Sequence, residues 1–243
     1  CEVLKFHLDD FRWLYEKLED YSSKYLLYAI LNNWINYDFE SLQKTINYKY
    51  NHYFDLDILP DCQNEVFVDV GTYTGDTIED FLYNYSSNCY KRIYCYEITK
   101  SILKQFEMQT KDLKNLVYKN NAVLDKNGYI SIDENIASSS ANQTSLEGSE
   151  KIKAVTLDRD IKEKITMIKM DIEGDEEKAI LGAKRHIAKD SPKLLISVYH
   201  KNEHYVTLAK LIDSFNPCYK FYLRNYGGNL YPTEIVLYAI IKN

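Results

Sequence analysis

The stretch from Glu65 to Thr77, Glu-Val-Phe-Val-Asp-Val-Gly-Thr-Tyr-Thr-Gly-Asp-Thr, constrains this chain more than any other. Val66, Phe67, Val68 and Val70 make a short β-branched and aromatic run, the pattern of a strand buried on both faces, and Asp69 and Gly71 close it. Gly71 and Gly75 then bracket a turn in which a backbone without Cβ atoms can approach a ligand. Thr74 or Asp76 is expected to cap the helix that Ile78, Phe81 and Leu82 continue. A strand, a glycine turn and a helix N-terminus make a ligand-binding end of an α/β sheet. A tight strand-to-helix connection without a ligand is the competing reading, and the residues beyond Gly75 have to separate the two.

Before this stretch, residues 1–60 read as helical, with Leu14, Leu18, Tyr21 and Tyr25 at near-helical spacing and Leu26, Leu27, Ile30, Leu31 and Trp34 extending the apolar stripe. They are expected to form an N-terminal helical cap, with Pro60 and Asp61 at the boundary of a second region, 61–243. From Glu65 onward short strands alternate with amphipathic segments, the signature of a mostly parallel sheet with crossover helices. The expected strands are Arg92 to Glu97, Leu116 to Val123, Gly128 to Asp133, Val155 to Asp158, Ile165 to Gly174 and Lys193 to His200. Helices are expected near 76–85, 99–110 and 203–215, and one after Gly174 turns Ala179, Ile180, Ala183 and Ile187 inward until Pro192 stops it. Ser138 to Ser149 is polar and small, the composition of a mobile loop. Tyr219 to Tyr226 and Glu234 to Ile241 close the chain with no room for a helix between them, so they are expected to pair antiparallel.

Charge narrows the partners. The 243 residues carry a formal net charge of −6, which counts against a nucleic-acid partner, because phosphate binding relies on Lys and Arg clusters. No apolar run approaches the roughly 20 residues that cross a bilayer, no signal peptide opens the chain, and a cytoplasmic location is expected. The 5 cysteines are odd in number and lack Cys-x-x-Cys spacing, which fits reduced thiols better than a zinc site or disulfide framework. A chain that opens on Cys1 is expected to be a segment of a longer protein with further domains. The 23 tyrosines, with abundant Asn, Lys and Ile, fit AT-rich codon bias and carry no functional reading.

Two cofactor classes use a strand, a glycine turn and an acid at the end of the next strand. Glu97 could accept hydrogen bonds from a ribose diol, as the acid does in dinucleotide folds. A dinucleotide site, however, wants Gly-x-Gly-x-x-Gly, and Tyr73 stands at the second position. Asp69 and Asp76 would repel a pyrophosphate and suit a cationic ligand. S-adenosylmethionine meets that description, with an ammonium, a sulfonium and a ribose but no phosphate.

The later motifs add a resemblance. Val68-Asp-Val-Gly-x-x-x-Gly-Asp-Thr77, Ile168-Lys-Met-Asp-Ile-Glu-Gly-x-Glu176, Ile196-Ser-Val-Tyr-His200, Tyr222-Leu-Arg-x-Tyr226 and Val236-Leu-Tyr-Ala239 resemble, in order, the motifs of FkbM-type S-adenosylmethionine-dependent methyltransferases. The likeness covers roughly residues 65–241. Asp175 stands where that family usually has a small residue, and Asn225 where it usually has His. The resemblance implies a Rossmann-like class I methyltransferase fold: a mostly parallel seven-stranded sheet ending in a C-terminal antiparallel pair. It also implies O-methylation of hydroxyls on sugars, glycans or secondary metabolites.

The expected cofactor-binding residues are Asp69, Gly71, Tyr73, Thr74, Gly75, Asp76, Thr77, Glu97, Ile98, Asn121, Ala122 and Asp171, with Ser139 and Ser140 as further candidates for reading an adenine edge. Lys169, Asp171 and Glu173 alternate, so on a strand they share one face. They are read either as a Lys169–Asp171 ion pair with Glu173 capping the next helix, or as catalytic groups at the carboxyl end of the strand. Asp171 and Glu173 are also the residues that would hold Mg²⁺ or Ca²⁺, a divalent metal being the open part of the cofactor reading. His200 is the second candidate general base besides Asp171. Tyr222, Arg224 and Tyr226 share a face and either line a polyol pocket for a small-molecule or glycan acceptor or serve as core aromatics with one snorkelling Arg. A non-catalytic methyltransferase-like binding module and an NAD-dependent oxidoreductase are the competing functions.

Overall fold

The computed structural model describes residues 2–132, 144–145, 150–227 and 230–241. Apart from Thr144 and Ser145, the polar stretch Ser138 to Ser149, with Ser139 and Ser140, lies outside them, as does Asp133. The chain opens with helices α1 (Glu2–Lys17), α2 (Tyr21–Asn36) and α3 (Phe39–Gln43). Then come β1 (Glu65–Val70), α4 (Asp76–Tyr85), β2 (Tyr90–Tyr96), α5 (Lys100–Gln109), β3 (Leu116–Lys119), β4 (Asn121–Val123), β5 (Gly128–Ile132), β6 (Thr144–Ser145) and β7 (Glu150–Val155). The remainder is α6 (Leu157–Asp160), β8 (Met167–Met170), α7 (Glu176–Gly182), α8 (Lys184–Lys189), β9 (Lys193–Ser197), α9 (His204–Phe215), β10 (Lys220–Asn225) and β11 (Ile235–Ile240). Seven strands form a mostly parallel sheet that ends in the antiparallel pair β10–β11. No described helix is long and apolar enough to cross a membrane.

Contacts group the chain into two compact units, Tyr53–Pro192 and Cys1–His52 with Lys193–Asn243, where the sequence reading places its boundary between 60 and 61. In the first unit β8, β1, β2 and β3 lie side by side and parallel, and all six residues of β1 are buried, as its apolar run requires. A second sheet of four strands, in the order β4-β7-β5-β6, stands beside them.

Several expected elements are cut differently. The strand expected over Leu116 to Val123 is two strands in different sheets, broken at Asn120. The Asn120 amide donates to the carbonyls of Glu97 and Ile98 at 2.9 and 2.8 Å, which turns the chain away from β2. Val155 ends β7 and Leu157–Asp160 is a short helix rather than strand. The helix after Gly174 is two helices divided at Ala183. The strand through Met170 stops there: Glu173 takes φ 56 and Gly174 φ 101, so the alternation that put Lys169, Asp171 and Glu173 on one face does not reach Glu173. Between Lys44 and Pro60 the chain forms turns instead of helix.

In the second unit the amino-terminal helices cover the edge of the antiparallel strands. The Glu19 amide donates to Phe221 O at 3.0 Å and the Asn47 amide to Asn225 O at 2.7 Å, so both flanks of the helices occupy β10 groups that an open edge strand would leave exposed. Asp20 is the hinge of this arrangement. It caps α2 by accepting from the Ser23 amide at 2.8 Å and holds the Arg224 guanidinium at 2.7 and 3.3 Å. Burial raises the Asp20 carboxyl, but the bonds from Arg224 and Ser23 outweigh it and hold it below the usual carboxylate range. Asp20→Ala is expected to cost about 2–3 kcal/mol in urea unfolding, a lost cap plus a lost charge-assisted pair to Arg224. Because the folded value is depressed, this contribution is present above the ordinary carboxylate range and disappears as pH falls through the lowered value, so wild type and variant should converge in acid.

Candidate cofactor site

The site is built at the carboxyl end of β1. There the Gly71 and Thr72 amides both donate to Tyr96 O at 3.0 Å, which ties the turn to β2, and Thr72 Oγ1 donates back to Asp69 O at 3.1 Å. Gly71 has φ +79, and a Cβ on it would stand 1.9 Å from the carbonyl oxygen of Asp171. Gly75 has φ +90, and a Cβ there would stand 2.0 Å from the Phe106 ring. Both positions therefore need glycine for conformation and for space. Gly75 is itself the N-cap of α4 and no side chain caps it, so Thr74 and Asp76 do not play that part; both are exposed, while Thr77 is buried.

Glu97 closes the turn from below. Its Oε2 accepts from the Tyr73 amide at 3.0 Å and its Oε1 from the Thr99 amide at 2.7 Å. Tyr73, forced to φ 48, thereby presents its side chain to solvent with 39% exposed. A carboxylate has about four acceptor positions, and these two bonds fix its orientation while leaving acceptor capacity.

Across the sheet, parallel register places Asp69 opposite Lys169, and both are fully buried. The Lys169 ammonium lies 3.2 Å from Asp69 and donates to Gly71 O at 2.7 Å. The ion pair of Lys169 is thus with Asp69, not the Asp171 partner expected from alternation. Burial pushes the Asp69 carboxyl up to about 6 against the attraction of Lys169. Burial lowers Lys169, yet the Asp69 and Asp171 carboxylates outweigh it and hold the ammonium above the usual lysine value. Asp171 follows directly, its amide donating to Val70 O at 3.0 Å and its Oδ2 accepting from the Tyr53 hydroxyl at 2.7 Å. The turn after it is pinned by the buried Glu176, whose Oε1 accepts from the Ile172 and Gly174 amides at 3.0 and 3.3 Å. Glu173 does not cap α7, whose N-cap is Asp175.

A sequence profile of the methyltransferase FkbM domain matches residues 33–219. The chain belongs to the FkbM methyltransferase family. Among curated protein sequences nothing matches. Among solved structures, the methyltransferase FkbM from Methylobacillus flagellatus KT superposes with a TM-score of 0.83 at 23% identity, over 97% of this chain and 59% of that one. The chain therefore spans somewhat more than half the length of that relative. Fibrillarin from Aeropyrum pernix, solved with S-adenosyl-L-methionine, reaches 0.48 at 10% identity over 74% and 67% of the two chains. The N-methyltransferase NodS from Bradyrhizobium japonicum WM9, solved with S-adenosyl-l-homocysteine, reaches 0.44 at 10% over 95% and 96%.

The remaining expected residues of this FkbM-family chain fall in several places. Ile98 and Ala122 touch one apolar cluster with Leu124, Ile152 and Ala154, and Asn121 pairs with Lys153 at the start of β4. His200 follows β9, its ring 4.3 Å from that of Tyr199. Tyr222 is buried on β10. Arg224 is committed to Asp20, to Ser23 Oγ at 3.0 Å and to Leu223 O at 2.9 Å. Tyr226 bonds the Tyr238 hydroxyl at 2.5 Å and lies 5.0 Å from the His52 ring. Asn225, where the family usually has His, is buried and donates to Thr45 Oγ1 at 3.0 Å. Sequence reasoning assigned no role to Tyr53, Asn120 or Glu176. Glu176 lies inside a quoted motif and so carried a signal; Asn120, in the middle of one expected strand, and Tyr53, in an aromatic stretch between recognised elements, carried none.

Proposed function

We propose that this chain is an S-adenosylmethionine-dependent methyltransferase that methylates a hydroxyl of a sugar, glycan or secondary metabolite. The observation that carries the reading is the Glu97 carboxylate, locked against the Tyr73 and Thr99 amides at the mouth of a glycine turn. A diol-accepting acid beside a turn that bears Asp76 suits a ribose on a cationic ligand better than a pyrophosphate. Family membership and the sheet support the same reading.

In this reading the turn that Gly71 and Gly75 shape frames the site, Glu97 takes the ribose, and Asp171 supplies negative charge at the end of β8. The bound cofactor would supply an electrophilic methyl on a sulfonium. The protein contributes chiefly position and exclusion of water, and general-base help from Asp171 or His200 adds a factor on the order of 10²–10⁴.

Calorimetry with S-adenosylmethionine tests the reading directly. Saturable binding is expected for the wild type and weakening on the order of tenfold in Glu97→Gln, which keeps shape but loses charge-assisted acceptance. Saturable NADH binding with none of S-adenosylmethionine would reverse the assignment in favour of an oxidoreductase.

A further inference from the structure

Tyr53 is buried at φ 69, a region that a bulky side chain enters only under strain. Its surroundings impose that conformation, and the contacts show what it secures. The hydroxyl donates to Asp171 Oδ2 at 2.7 Å, and the ring centroid lies 5.3 Å from the Lys169 ammonium, within cation–π range. Lys169 in turn holds Asp69 and the Gly71 carbonyl, while the Asp171 backbone closes against Gly71. One side chain thus touches both charged groups beside the glycine turn. Two further non-glycine residues with positive φ, Tyr73 and Glu173, flank the same strand ends. The next residue shows what a purely packing aromatic looks like here: Phe54 is wholly buried against Phe81 and Tyr85, at 5.8 and 5.9 Å.

We propose that Tyr53 is a positioning residue for methyl transfer, gripping Asp171 through its hydroxyl and Lys169 through its ring so that the Asp171 carboxylate faces the sulfonium of the bound cofactor. The inference rests on the S-adenosylmethionine reading above. An oriented carboxylate lowers the energy of a sulfonium and does little for the neutral thioether of S-adenosylhomocysteine, so the ratio of the two affinities reports orientation. A residue that only fills space would change both affinities alike.

Calorimetry with each of the two ligands on wild type, Tyr53→Phe, Asp171→Asn and the double variant tests this. Tyr53→Phe keeps the ring and is expected to lose on the order of tenfold in S-adenosylmethionine affinity and less than about twofold in S-adenosylhomocysteine affinity. Asp171→Asn should behave in the same way, and the double variant should bind no more weakly than Asp171→Asn alone, because one residue acts through the other. Equal losses for both ligands, or additive losses in the double variant, overturn the inference. Melting temperatures without ligand establish that each variant folds. Should Tyr53→Phe not fold, Asp171→Asn alone must lose the sulfonium preference, and keeping it overturns the inference. A wild-type chain that binds neither ligand overturns the cofactor reading itself, a result distinguishable from the others.

Discussion

Gly71→Ala is expected to abolish measurable S-adenosylmethionine binding and to destabilise the fold by about 3–4 kcal/mol. Two separate costs add. At φ +79 an alanine is held in the left-handed region, at about 1 kcal/mol relative to glycine. Its Cβ would also stand 1.9 Å from Asp171 O and 3.2 Å from Ile172 Cγ2. The first obstacle is backbone, which cannot swing aside as a side chain can. Relief requires the ends of β1 and β8 to part, at the expense of the Asp171 amide bond to Val70 O and the Lys169 bond to Gly71 O. Overpacking of this kind costs about 1–3 kcal/mol before those bonds are counted. Gly128→Ala is the control, because a Cβ there meets nothing within 4 Å and should change stability by less than about 0.5 kcal/mol. Urea unfolding and calorimetry read both quantities. A Gly71→Ala protein as stable as Gly128→Ala, with wild-type affinity, would mean that the turn is neither tight nor used.

What could be read ahead of the structure follows physical range. The β1 run, the glycine turn and the alternation of strand and helix are local, written in residues that neighbour one another, and the structure holds them. Pairings set by register are not local. Alternation offers Asp171 as the acid for Lys169, and Asp69 is the partner instead because parallel pairing of β1 with β8 sets it opposite. Arg224 shows the same limit. On its own strand it reads as a pocket or a snorkelling residue, while its partners Asp20 and Ser23 lie some 200 positions away. Leu116 to Val123 reads as one strand because β propensity does not record that a single asparagine side chain, at 120, can satisfy two carbonyls and divert the chain. Tyr53 was illegible for a different reason: its importance lies in a backbone angle and two tertiary contacts, and no residue pattern encodes those.

Lys169→Met is expected to destabilise the protein by about 3–5 kcal/mol near neutral pH, because it strands Asp69 in a site with no exposure to water. The pH dependence makes the cause identifiable. Asp69 already titrates at about 6 in the folded chain, above the 3.8 of an ordinary aspartate, with burial raising the value and Lys169 opposing it. A group raised on folding contributes stability that is complete below its unfolded value and is lost as pH rises through the folded one. In the wild type that loss falls between about 4 and 6. Removing the ammonium removes the opposing attraction, so the folded value climbs further and the loss extends above 6. Lys169→Met should therefore recover part of its deficit in mild acid, the reverse of the Asp20→Ala comparison, in which the two proteins converge because the wild type loses stability. Adding Asp69→Asn removes the stranded charge, and the double variant should be more stable at pH 7 than Lys169→Met alone. Cofactor affinity is expected to be weakened in both variants, because Gly71 O lacks its ammonium donor in each. Urea titrations of the wild type and the two variants across pH decide the matter: a deficit in Lys169→Met that is flat with pH and untouched by Asp69→Asn would show that the loss is one of packing and not of charge.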